Sequence, residues 1–359
     1  MDVPAARARE RLAEKVGRAC GLVRSPEQLL GQVSEILKPA LTHVAGAWMV
    51  ADPDSRIGST AHAEGCTDEL HLALLEQEAR GDDVNLMRDV AEHRVAAASL
   101  HAATGGELAR SRRWREVYGP HGYGDELRGC FNSGETVWGM YTVVRDADVG
   151  PFDAGTIQLM TRIRPHVTAA LRTTLAVDGI HDGAVEEPGV VILADDDTLR
   201  SSTASANQLL GPLSPSGASP DPGYVVHEVA ARARAVADGN ARGPATARIK
   251  VDGGWLELHA AVLDTQERSV AVIVERAPPE RSGTLAMELH GITAREREVA
   301  ELLLAGMELE RVAAELWITV ETVRGHAKSV FAKLGVHGRA EFMARLAGRR
   351  RVEPSMGRG

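Results

Sequence analysis

The stretch from Thr293 to Leu346 constrains this chain most, because helix start signals, apolar periodicity and helix stop signals follow one another there in quick succession. It opens with Thr293-Ala294-Arg295-Glu296, in which the threonine hydroxyl can accept from the Glu296 amide while that carboxylate reaches back, a capping box. Val299, Leu302 and Leu303 follow at helical spacing, Arg297 and Glu301 stand four apart on the wet side, and Gly306 suits a left-handed helix end. Val312, Ala313 and Leu316 give a second short apolar face. Thr319 is then a good N-cap for a segment from Val320 to Leu334, with Val323, Ala327, Val330, Phe331 and Leu334 pointing inward. Gly335 ends that segment, and Arg339 to Leu346 forms a last amphipathic helix. A small all-α unit is the expectation.

The third segment is the informative one. With its apolar side turned inward, Arg324, Lys328 and the N-terminal turn are left to solvent. A helix that offers cations near its amino end fits the major groove of DNA. Charge counted locally agrees. Between Thr319 and Arg351, eight Lys and Arg stand against Glu321 and Glu341, a net +6 inside a chain whose total is −9. A basic patch on an acidic protein is an electrostatic footprint for a phosphate backbone.

Taken in order, Thr293, Arg295, Glu296, Gly306, Val312-Ala313, Leu316, Thr319, Thr322-Val323, His326, Phe331, Lys333-Leu334-Gly335-Val336 and Arg339-Ala340-Glu341 resemble the C-terminal helix-turn-helix of LuxR-type (NarL/FixJ) transcription regulators. The resemblance implies that Val320 to Leu334 is the recognition helix, with Arg324, Gly325 and Lys328 where base-facing side chains lie. It places Thr319, Thr322, Lys333 and Arg339 where they contact phosphate or fix the helix. His326 is expected to be packed or bonded within the unit. Two places depart from the family pattern. Gly325 offers no side chain and costs about 1 kcal/mol of helix propensity relative to alanine. The other is the stretch Glu308-Leu309-Glu310-Arg311, where a small polar cap and, in the Arg311 position, an acidic residue are usual, so a weaker turn into the second helix is expected.

The expected function is therefore sequence-specific binding of double-stranded DNA by a transcription regulator controlled by a signal sensed upstream. The alternative is a small-molecule sensor acting mainly through protein contacts. One short recognition helix covers few base pairs, so a homodimer reading two half-sites is expected, with Phe342, Met343 and Leu346 as a candidate interface. RNA polymerase and a small-molecule effector are further candidate partners, and no membrane partner is expected.

Upstream, the pattern is α+β. Pro26 to Leu41 is an amphipathic helix, Ala45 to Ala51 a strand and Leu70 to Ala79 another helix. Tyr118-Gly119-Pro120, Gly122, the Asp125 to Arg128 run, Trp138-Gly139 and the apolar strand Val137 to Val144 resemble a GAF-like sensory domain. There Asp125, Arg128 and Trp138 are candidate ligand contacts. The competing assignment makes Trp138 and Phe152 core, and Asp125, Glu126 and Arg128 a solvated turn with a local ion pair. Asp153 to Val177 reads as a helix kinked at Pro165. Strands at Val190 to Ala194, Ala245 to Val251, Trp255 to Leu263 and Ser269 to Glu275, with a helix at Val225 to Ala237, resemble a PAS-like sheet. Asp195-Asp196-Asp197 is not taken as a phosphorylated receiver pocket, because the chain before the helical unit is too short for one.

The predicted organisation is multidomain: residues 1–20 a helical lead-in, 21–177 GAF-like, 188–276 PAS-like, 277–287 a linker, 288–348 the helix-turn-helix unit and 349–359 a basic tail. The first twenty residues are charged throughout and hold no apolar core of a signal peptide. Cys20, Cys66 and Cys130 form no C-x-x-C pair, which suits reduced thiols and a cytoplasmic protein.

Catalysis has no visible address. His227-Glu228 begins like a zinc-protease helix, but Ala231 stands where the second histidine is needed. His62, Glu64, Cys66 and Asp68 alternate without the P-C-x-x-C that a zinc deaminase needs, and read as a polar loop. Nucleophile elbow, phosphate loop and dinucleotide fingerprint are all missing from the sequence. No catalytic residues, metal or cofactor are expected.

Overall fold

The computed structural model describes residues 3–23, 25–176, 187–211, 223–251, 254–263, 267–277 and 285–346. These form two compact units. The first spans Met1–Thr174, Glu186–Val251 and Leu256–Arg276, and the second is chiefly Ala277–Gly359. Most of the expected Leu213 to Gly223 loop, most of the linker and the basic tail lie outside the described residues. No helix among those described is long and apolar enough to cross a membrane.

The first unit begins with α1 (Val3–Cys20), α2 (Pro26–Leu41), β1 (Ala45–Ala51), β2 (Gly58–Glu64), α3 (Asp68–Arg80), α4 (Met87–Glu92), β3 (Ala98–Ser99) and α5 (Leu100–Ala103). The long hairpin β4 (Tyr123–Ser133) and β5 (Thr136–Asp146) follows, then α6 (Ala154–Ala176). The five strands pair antiparallel in the order β2-β1-β5-β4-β3. Side chains alternate across a strand, and here both faces are buried. Trp48, Phe131 and Tyr141 stack on one face, whereas Met49, Cys130 and Met140 pack on the other with Val90 and Tyr224. Gly139 lets α6 approach the first face closely: a Cβ there would stand 2.8 Å from Leu171.

A second sheet follows, from β6 (Gly189–Leu193), β7 (Leu199–Ser202), α7 (Ala204–Leu210), α8 (Gly223–Ala237), β8 (Thr246–Val251), β9 (Gly254–Val262) and β10 (Val270–Arg276). Its order is β7-β6-β10-β9-β8, the same permutation as in the first sheet. β6 pairs antiparallel with β7 and β10, and β10 with β9. Its core is apolar: Val191, Leu193, Val229, Leu256, Leu258, Val270 and Val272 cluster with Leu209.

Within this unit the two sheets are clasped by charge. Arg248 on β8 donates from its backbone amide (3.1 Å) and from Nε (2.8 Å) to Asp52 just after β1, and from Nη2 to Asp54 at 2.6 Å.

Three expectations need correction. The Asp125 to Arg128 run is a buried part of β4 and not a solvated turn. Glu126 makes this possible by accepting from Arg113 Nη2 (2.7 Å), Tyr118 Oη (2.6 Å) and Arg128 Nε (2.8 Å), so the charges are neutralised inside. α6 runs unbroken through Pro165, held by its packing on the sheet. The stretch around His62 and Glu64 is β2, a strand that its glycine and polar residues conceal.

The second unit is all helical. Residues 285–289 form a helical turn, followed by α9 (Ala294–Leu304), α10 (Leu309–Glu315), α11 (Val320–Leu334) and α12 (Arg339–Leu346). Val299, Leu303, Val312, Val323, Val330, Leu334 and Phe342 form one core.

Candidate nucleic-acid interface

The helical unit is built from local signals. At the head of α9 the capping box is complete: Thr293 N donates to Glu296 Oε2 (2.8 Å) and Glu296 N to Thr293 Oγ1 (3.3 Å). Thr319 caps α11 by accepting from Thr322 N at 3.1 Å, and Gly335 ends it at φ +64°. Glu308 caps α10 without a side-chain bond, in line with the weaker turn expected there. Arg339 compensates from α12, donating to Met307 O at 2.8 Å and pairing with Glu308 at 3.5 Å.

The inward face of α11 buries Val323, Ala327, Val330 and Leu334. Phe331, expected to be buried with them, is half-buried at the rim, where its ring lies 5.2 Å from that of Phe342. The other face carries Thr322, Arg324, Gly325 and Lys328, all exposed. Among the described residues Arg324 meets only the exposed Glu321, at 3.4 Å, and Lys328 has no partner. A Cβ on Gly325 would meet nothing within 4 Å, so the fold itself does not require glycine there. Arg324, Lys328 and Arg339 border one groove of about 560 Å³, together with Leu309, Phe331 and His337.

Lys333 lies elsewhere. Its ammonium donates to Glu296 Oε2 (2.6 Å) and Gly291 O (3.1 Å), tying the end of α11 to the capping box. Burial would raise the Glu296 carboxyl, but the bonds from Lys333, Ser329 and Thr293 hold it at about 2. The sequence shows both charges but not their meeting, because they stand 37 residues apart. Arg297 likewise pairs with Glu288 at 3.0 Å and not with Glu301.

Trp317, in the turn between α10 and α11, is 93% exposed and holds φ +54°. A bulky residue rarely adopts that conformation. The residue type gives no warning of it.

The upstream candidates separate. Asp125 accepts from Ser99 Oγ (2.7 Å), His101 N (2.8 Å) and Phe152 N (2.9 Å), which makes it a brace between loops. Trp138 is buried, with the Arg172 guanidinium 5.8 Å from its ring centre. Arg128 lines a cavity of about 520 Å³ while bonded to Glu126 and Glu78. Burial opposes ionisation of Glu126, but Arg113 and Arg128 hold its carboxyl at about 2. Of the residues first considered for metal, Glu64 is engaged by Ser34, Lys38 (2.6 Å) and His43 (2.7 Å). Glu257, His259 and Glu275, on adjacent strands of the second sheet, place potential ligand atoms within 4.8 Å of one another, a grouping that sequence spacing hides.

Residues 290–346 match the family described as bacterial regulatory proteins, luxR family. Spore germination protein GerE of Bacillus subtilis is 44% identical over 55 residues, which is 15% of this chain and 74% of that protein. A putative HTH-type transcriptional regulator of Aeromonas salmonicida is 50% identical over 51 residues, covering 14% of this chain and 26% of that one. Upstream, the GAF domain of a phosphoenolpyruvate-protein phosphotransferase from Coxiella burnetii aligns with 46% of this chain and 94% of its own, at 13% identity and a TM-score of 0.35. The 55 matched residues thus cover most of GerE itself, and by them the chain belongs to the luxR family of bacterial regulatory proteins.

Proposed function

We propose that this chain is a sequence-specific double-stranded DNA-binding transcription regulator, acting as a homodimer in the cytoplasm and controlled by a signal received in its upstream unit. The observation that carries the proposal is the outer face of α11, where Arg324 and Lys328 stand exposed, with no buried partner among the described residues, beside the exposed Thr319 and Thr322. Cations left free near a helix N-terminus are placed for base edges and phosphates. In this assignment Arg324 and Lys328 read bases, Gly325 admits close approach of the duplex, and Thr319 and Thr322 contact phosphate. Arg339 serves phosphate from the same groove, and Lys333 positions α11 through Glu296.

The shared strand order of the two upstream sheets supports reading them as related sensory modules, GAF-like over 21–177 and PAS-like over 188–276. Shared topology supports a common architecture, while function has to be argued from sites.

Selection of bound sequences from a random DNA pool with the full chain, at two salt concentrations, tests the proposal. Enrichment of a two-fold repeated motif is expected. No enrichment by the full chain or by residues 283–359 would overturn it, and would favour a sensor that acts through protein contacts.

A further inference from the structure

The first unit holds a cavity of about 520 Å³, inside the range of roughly 300–1,000 Å³ typical of small-molecule sites. Both sheets' modules build it: Met49 and Met140 from the first sheet, Leu70 and Leu74 from α3, and Ala231 and Arg232 from α8. More of the wall is apolar than polar, and its charged groups come from several elements: Glu78 from α3, Arg88 and Glu92 from α4, Arg128 from β4, and Glu228 and Arg232 from α8. Tyr224 lays its ring 4.5 Å from that of His71 and directs its hydroxyl to Met49 Sδ at 3.1 Å. One turn on, Glu228 is pushed up to about 7, by burial first and by Glu78, with a hydrogen bond to Tyr224 acting the other way.

Arg232 follows Glu228 by four residues on the same helix, the spacing at which Glu and Arg ordinarily pair. Here they do not. Among the described residues no carboxylate comes within the 4.0 Å of an ion pair with Arg232. Its Nη2 donates to Arg242 O at 3.0 Å, and its Nε is buried without an acceptor. Burial, and the nearby Arg88, lower its pKa. Arg232 is half-buried, but its shielded Nε–H lacks an acceptor among the described residues, and such a donor is unfavourable unless something brings one.

We propose that this cavity binds an organic anion, a carboxylate or similar head bonded to Arg232 and an aliphatic or aromatic body lying on Met49, Met140, Leu70 and Leu74. Arg232 supplies the unused N–H, and Glu228, one turn earlier on α8 and on the same cavity wall, supplies an O–H when protonated. The lining holds five arginines against Glu78, Glu92 and Glu228, which favours an anionic head over a cationic one, and the apolar floor disfavours strongly hydrated ions. Because α8 closes a cavity floored by the first sheet, occupancy ties the two modules together. That this occupancy is the regulating signal rests on the function proposed above, whereas the binding itself does not.

The test contains no DNA, so its failure is distinct from failure of the regulator assignment. The full chain is titrated with the fluorescent anion 8-anilinonaphthalene-1-sulfonate, which is then displaced by decanoate, by 2-naphthoate or by uncharged decan-1-ol. At least one of the two carboxylates is expected to displace the dye about tenfold or more better than the alcohol, a difference of about 1.4 kcal/mol. Arg232→Met is expected to abolish that preference, and Ala231→Trp to abolish dye binding, with circular dichroism unchanged. Should Ala231→Trp fail to fold, Ala79→Phe fills the cavity from the α3 side. Equal displacement by alcohol and carboxylates, a preference that survives Arg232→Met, or dye binding that survives a folded cavity-filling variant would overturn the proposal.

Discussion

The upstream unit and the helical unit treat charge in opposite ways. In the first, Arg113 and Arg128 are 0% and 2% exposed and share the buried Glu126, while Arg248 reaches Asp52 across the two sheets. In the second, Arg324 keeps 57% of its side chain in solvent and Lys328 meets no partner among the described residues. A buried charge is tolerable only when paired, whereas an exposed one adds little to stability and is available to a partner. The contrast teaches which charges hold the molecule together and which are left for something outside it. Lys333 falls on the structural side of that line, although it lies on α11 with Arg324 and Lys328.

The comparison is broken most decisively at its buried end. Glu126→Ala leaves Arg113 and Arg128 without their shared acceptor and is expected to destabilise the upstream unit by about 3–5 kcal/mol in urea melts. A loss below about 1 kcal/mol would mean that water already screens the site.

At the exposed end, Arg324→Ala is expected to lose about 1–3 kcal/mol of affinity for a selected DNA site, measured by titration, and to relax one base position. Its melting should stay within about 0.5 kcal/mol of the parent. Equal loss on selected and random DNA would move Arg324 from reading bases to holding phosphate.

Lys333→Met sharpens the boundary between the two classes. It is expected to lower the stability of the helical unit by about 1 kcal/mol and to leave the salt dependence of DNA binding unchanged. A flatter salt slope would instead place Lys333 on phosphate. Its partner sets a pH window. A carboxyl held at about 2 when folded, against 4.5 otherwise, stabilises the fold above 4.5, and that contribution is lost as pH falls from 4.5 through about 2. Glu296→Gln should flatten acid melting over that interval.

The smallest effect has the opposite sign. Trp317→Gly relieves a left-handed backbone at a residue that buries almost nothing, and thermal melting should rise by an amount equivalent to about 1 kcal/mol or less. A drop in melting temperature would show that the indole contributes to the fold.

How much of this was legible depended on range. The caps at Thr293, Thr319 and Gly335 could be read residue by residue, because each is a bond between groups within a few positions of one another. The apolar strands β1, β5, β6 and β10 were visible as runs, whereas β2 was hidden by Gly58, His62 and Glu64, whose pairing is set by β1. Arg324 and Lys328 were legible because helical periodicity alone turns them outward. Arg128 stood out only as one member of a charged run, and the cavity that it lines with Arg232 had no signal in the sequence at all.

The sequence by itself therefore determined the helix boundaries of the C-terminal unit, the face of α11 that is exposed and most of the strand positions, since all of these follow from local bonds and from periods of 3.6 or 2. Only the tertiary structure decided the common strand order of the two sheets, the pairing of Asp52 with Arg248 across 196 positions and of Glu296 with Lys333 across 37, and the guanidinium of Arg232, which meets no carboxylate among the described residues. The reason is physical: whether a charge is solvated, neutralised or left waiting depends on what the fold brings beside it, and no local pattern encodes a neighbour that far along the chain.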